Sequence, residues 1–195
     1  MPEIAAQLRN STPTNVTVLP LAASDKAGIF TLYVPRKGRM AVSTRATLEA
    51  TANPGFDVDP IEIQTQMIDD LGFENVGFIK IDVEGHEQAV LRGARNLIAS
   101  SQPTVLIESE ERHGKGVVSA TKAFFDGLGY DGFFLQAGRL RRMDAFDPER
   151  DQRIENAKQV EGGLENRYIN NFLFIHRDRR NVQDRVRGMF PLDGQ

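Results

Sequence analysis

Apolar and polar residues alternate every second position over several stretches, and each reads as a strand with one face buried. In "IFTLYVP" (29–35), Phe30, Leu32 and Val34 fall on one face, and "IEIQTQ" (61–66) repeats the pattern. "NVTVLPLAA" (15–23) reads as an earlier strand, with Val16 and Val18 set against Thr17. "VGFIKIDV" (76–83) is almost continuously apolar, which predicts a parallel strand covered on both faces. "TVLIE" (104–108) and "YINNFLFIH" (168–176) are further apolar strands, and "GFFLQAGRLRRM" (132–143) reads as strand, turn and strand around Ala137-Gly138. The period changes to helical in "HEQAVLRGARNLIASS" (86–101), where Val90, Leu91, Ala94, Leu97 and Ile98 share a face. "VSATKAFFDGLGY" (118–130) reads as another helix, and Ile4 to Asn10 as a helix end. Residues 36–60 and 144–166 carry little periodicity and read as long loops.

Strands alternating with helices predict an α/β domain with a mostly parallel sheet. Ligands in such sheets bind beyond the carboxyl ends of the strands. Asp82 and Glu84 stand where one buried strand runs out, and Glu108 ends the next. These acids are therefore expected to face a crevice rather than the core.

Composition narrows the classes. The chain has 195 residues, a net charge of −3 and no cysteine. Length allows one domain with a substantial core. Charge disfavours a nucleic-acid binder, and the Arg-rich pieces "RLRR" and "RDRR" sit among acids as a solvated surface. Absence of cysteine removes disulfides and thiolate chemistry and suits a cytoplasmic setting. No apolar run reaches bilayer length, so no membrane association is expected.

"FIKIDVEGHEQAVLRGA" (78–94) resembles the signature of the FkbM family of S-adenosylmethionine-dependent methyltransferases. The resemblance extends through "NVTVLPLAASDKAGIFTLYV", "IEIQTQMIDDL", "QPTVLIE" and "NNFLFIH". It implies a Rossmann-like class I methyltransferase domain over 1–177, followed by a charged tail over 178–195. It also implies S-adenosylmethionine as cofactor and O-methylation of a hydroxyl on a sugar, glycan or other small molecule. Ala23, Ser24 and Asp25 match the turn expected near the adenine, and Asp82 the strand end beside the reacting methyl. Glu84 and Glu87 complete an Asp-Val-Glu-Gly-x-Glu pattern, and Glu108 matches the next acidic strand end. The family opens with a strand, a Gly-rich turn, a helix and a second strand, and no Gly-rich loop precedes Val16. The chain is therefore expected to lack the first two strands of that fold and half of the cofactor site. The first missing strand would lie beside Phe78 to Val83, leaving an exposed edge that favours homo-oligomers.

Asp82, Glu84 and Glu108 are the candidate catalytic residues; Ala23, Ser24, Asp25 and Asp82 are the candidate cofactor contacts. A carboxylate can take the proton of an acceptor hydroxyl, and one near a sulfonium opposes its positive charge. Against these stand bland roles: Asp82 as a helix cap, Glu84 as an anchor for Gly85, Glu108 in a salt bridge. Glu87 is expected to serve the helix dipole, Lys80 to pair with an acid, His86 to be exposed, and His113 to ride a mobile loop in "ERHGKG". Two other functions fit the residues: a non-catalytic, partner-binding remnant, and a metal-dependent hydrolase built on Asp82, Glu84 and Glu108, since hard cations prefer oxygen ligands.

Overall fold

In the computed structural model, residues 2–37, 40–41, 46–48, 55–153, 155 and 168–192 are described. Helix α1 (Pro2–Ser11) leads to a short strand β1 (Ala22–Ala23), then β2 (Gly28–Lys37), β3 (Met40–Ala41) and β4 (Asp57–Gln66). These strands form one sheet in the order β1-β4-β2-β3. The long partners are β2 and β4, antiparallel from Gly28–Thr65 to Arg36–Asp57, as their alternation predicts. The expected strand over 15–23 shrinks to Ala22–Ala23. Pro20 has no N–H to give to a ladder, and Val18 to Leu21 line a groove beside α1 instead.

A second sheet follows. Its elements are β5 (Phe78–Ile81), α2 (Glu87–Gly93), α3 (Arg95–Ser101), β6 (Thr104–Glu108), α4 (Val117–Asp126), β7 (Tyr130–Gln136), β8 (Arg139–Arg142), α5 (Pro148–Asp151), β9 (Asn171–His176) and α6 (Arg180–Met189). Strand order is β5-β6-β9-β7-β8. The expectation of a mostly parallel sheet is corrected here: both sheets are mixed. Among the described strands only the pairs β1–β4 and β5–β6 are parallel, apart from a single parallel bridge between Leu140 and Leu192. β9 returns between β6 and β7 and runs against both, and the Ala137-Gly138 turn makes β7–β8 a hairpin.

The expectation of an exposed edge along Phe78 to Val83 holds: β5 is an edge strand among the described residues. Among the described residues it pairs only with β6, and Phe78 is 55% exposed, which corrects the expectation of a strand covered on both faces. The predicted long helix is interrupted at Ala94, whose φ of −115° and ψ of 9° leave the helical region. The Asp69 carboxylate accepts from the N–H groups of Asn96 and Leu97 at 3.0 and 2.8 Å. It thereby caps α3 from a 3-10 turn outside that helix.

One sheet face carries the core. Ile81, Val105, Ile107, Phe172, Phe174 and Phe134 pack under Val90, Leu91 and Ile98 of α2 and α3 and Phe125 of α4. Phe125 stacks on Phe174 with ring centres 4.0 Å apart, and the buried Tyr130 hydroxyl donates to the Ile98 carbonyl at 3.2 Å. On the opposite face Phe133, Leu140 and Ile175 meet Val182 and Val186 of α6, so the charged tail contributes a packed helix. Residues 156–167, expected as loop, lie outside the described residues, as does much of 38–54.

Candidate functional site

The carboxyl ends of β5 and β6 gather the predicted acids. Lys80 is in register with Leu106 and Ile81 with Ile107. One step further, that register sets Asp82 alongside Glu108. Glu108 in turn pairs in register with Asn171 of β9. Asp82, Glu108 and Asn171 thus share one face, where the strands run out.

Burial and the nearby charge of Asp82, with Glu110 beside it, push the Glu108 carboxyl up to about 7. The Asn170 amide donates to Glu108 Oε1 at 2.8 Å. Glu110 goes the other way. Its burial opposes ionisation, but Arg112 and Tyr168 outweigh that and hold it at about 2. Arg112 grips both Glu110 oxygens, at 2.9 and 2.8 Å, and the Tyr168 hydroxyl donates at 2.5 Å. Two neighbouring carboxylates with their affinities for protons driven apart are a means of keeping one proton acceptor near neutrality.

Glu84 stands nearby in the left-handed region, φ +47°. Arg112 reaches it at 3.0 Å and His113 Nε2 at 3.5 Å. His113 and Arg112, working against burial, keep Glu84 below the ordinary carboxylate range. Arg112 therefore bridges the loops that follow β5 and β6. Glu84 acts as their joint, and the candidate proton acceptor is Glu108. The His113 side chain is buried, at 4% exposure, with its ring against Gly85. Gln152 fixes the same loop from below. Its Oε1 accepts from the Glu111 N–H and its Nε2 donates to the Ser109 and Ile169 carbonyls, all at 2.8 Å.

Lys80 pairs with Asp82 at 3.4 Å, as expected. Glu87 is buried and accepts from the Gly85 N–H at 2.8 Å. Burial raises its carboxyl despite that bond.

The expected cofactor contacts divide. Ala23 and Asp82 line one groove of about 470 Å³ along the free edge of β5, with Ile68, Phe73, Val90 and Leu97. Ser24 is buried and its hydroxyl lies 3.0 Å from His86 Nε2. Asp25 accepts from Arg92 at 2.9 and 2.8 Å, and that guanidinium lowers its carboxyl further. Ser24 and Asp25 thus tie the turn to α2, and His86 is half-buried rather than exposed. The groove offers an apolar wall of the kind an adenine ring takes. Its lining holds one carboxylate, Asp82, and one cation, Lys80. Those two do not supply the donors that a methionyl carboxylate needs together with acceptors for a ribose diol, so the described residues do not by themselves fit the whole of S-adenosylmethionine.

Asp82, Glu84 and Glu108 do not gather into a metal site. Among the described residues no group of three or more His, Asp or Glu is placed to hold an ion. No described helix is long and apolar enough to cross a membrane.

The methyltransferase FkbM domain matches residues 2–147 of the chain. The protein belongs to the FkbM methyltransferase family. The crystal structure of the methyltransferase FkbM from Methylobacillus flagellatus is similar at 17% identity and a TM-score of 0.44, covering 89% of this chain and 32% of that one. The chain spans about a third of that protein's length. No curated protein matches it.

Glu110, Arg112, Tyr168 and Asn170 escaped the sequence reading. The spacing in "ESEER" offered a hint: Glu108, Glu110 and Arg112 stand two apart.

Proposed function

We propose that this member of the FkbM family is an S-adenosylmethionine-dependent methyltransferase domain acting on a hydroxyl of a sugar or other small molecule. β5, β6 and the helices that follow them serve as its Rossmann-like portion. Glu108 carries the reading. A hydroxyl that accepts a methyl group must lose its proton, and a base works best when its affinity for that proton is near the operating pH. Glu108 is such a group, oriented by Asn170 and placed beside Asp82. The bound cofactor would supply the methyl as a sulfonium. Asp82, lining the groove, sets a negative charge toward that side.

A second reading follows from the incomplete cofactor fit: the domain binds a partner and transfers nothing. Calorimetric titration of the folded chain with S-adenosylhomocysteine separates the two. Micromolar binding, with turnover that rises through about pH 7 and is lost in Glu108→Gln, supports the methyltransferase. A folded chain that does not bind supports the second reading and overturns the first.

A further inference from the structure

A second cavity of about 430 Å³ opens on the sheet face that Glu108 shares, away from the groove beside β5. Its floor is Leu106 and Leu173, which are register partners two pairs down from Glu108 and Asn171 and so on the same face. Its walls come from Leu135, the Ala137-Gly138 turn and Phe190 beyond α6. Of the eleven lining residues only Asn170 and Asn171 have polar side chains, and both stand at the Glu108 end. Asn171 Nδ2 donates to Asn170 Oδ1 at 2.9 Å, and Asn170 Nδ2 donates to Glu108 at 2.8 Å. An apolar chamber of this size with its few polar groups at one end is the ordinary form of a small-molecule site.

We infer that this cavity seats the body of the methyl acceptor, and that the acceptor is a hydroxylated molecule with an apolar, ring-sized body. The inference rests on the reading of Glu108 as proton acceptor. A plain sugar would leave the Leu106, Leu173 and Leu135 surfaces facing hydroxyl groups, forfeiting their burial. An apolar body covers them, and a hydroxyl at its polar end meets Asn170, whose amide donates to Glu108. Leu135, 42% exposed and lining the cavity, has its apolar surface covered by the same body.

The test is a fluorescence titration of the full chain with 2-naphthol, with naphthalene as the analogue lacking the hydroxyl. Saturable one-to-one binding of 2-naphthol is expected, about tenfold weaker in Leu135→Trp, which fills the mouth at a position that tolerates bulk. Naphthalene is expected to bind more weakly, and Asn170→Ala to erase that preference. Phe190→Ala, at a partly exposed wall, is a second variant that weakens binding without touching the core. Circular dichroism confirms that each variant is folded. Absence of saturable binding, or affinity unchanged in both Leu135→Trp and Phe190→Ala, overturns the inference; so does equal affinity for the two ligands. Binding as described without any methyl transfer leaves the cavity standing and removes the catalytic reading. Turnover of a sugar by a chain that binds no 2-naphthol removes the cavity alone.

Discussion

Glu108→Gln should stabilise the protein in mild alkali and leave it nearly unchanged in mild acid. The folded environment raises this carboxyl from 4.5 to about 7, so the folded state holds a proton that the unfolded state has already released. Wild-type stability is therefore lost as pH rises from about 4.5 to about 7 and is flat above that. At about 1.36 kcal/mol per pH unit, the difference sets a ceiling of about 3.4 kcal/mol. Glu108 is half open to water, and that screening brings the expected gain to about 1–2 kcal/mol. Glutamine keeps an oxygen for Asn170 and carries no charge beside Asp82. Urea unfolding at about pH 5 and about pH 8.5 measures the effect. Glu110 does not confuse it: held at about 2, its contribution is present above its ordinary value and is lost only in stronger acid. The same stability difference between variant and wild type at both pH values, or a variant less stable at the higher one, would refute the account of Glu108.

Gly93→Ala sets helix propensity against packing. Alanine should gain about 1 kcal/mol inside a helix, but its Cβ would sit 2.0 Å from the Ser24 carbonyl oxygen, a backbone atom. Packing should win, with a net loss of about 3 kcal/mol or more seen as a lower thermal midpoint. Arg112→Met removes the counter-ion of the buried Glu110 and should cost about 3 kcal/mol near pH 7. That cost should shrink as pH falls toward the low Glu110 range, which urea unfolding across pH will show. Phe125→Ala deletes a fully buried ring stacked on Phe174 and should cost about 3–5 kcal/mol by the same measurement.

Strands β2, β4, β6 and β9 were legible because their alternation or apolar runs survive folding. For β5 the exposed edge was legible, but its open face was not: a continuous apolar run looks alike whether or not a layer covers both faces. The interruption at Ala94 was hidden because its cause, the Asp69 carboxylate, lies 27 and 28 residues from the amides it caps. The site divides in the same way. Asp82 and Glu108 are visible as acids that end apolar strands. Their division of labour with Glu110 depends on Tyr168, 58 residues further along, and on Asn170, 62 residues from Glu108. No local pattern carries such pairings. His86 and His113 show the reverse: polar residues in a loop-like stretch that folding draws inward.

Among the described residues the two sheets exchange no strand pairing. The sheet built on β2 and β4 is tied to the other by local contacts: Asp69 on the start of α3, Ser24 against Gly93 and His86, and Asp25 on Arg92. All of these fall on the single helical layer formed by α2 and α3. Cooperativity should be divided accordingly. Amide exchange is expected to show β2 and β4 opening together at lower free energy than β6, β7 and β9. Asp69→Ala should lower that first opening while leaving the global unfolding limit of the five-stranded sheet nearly in place.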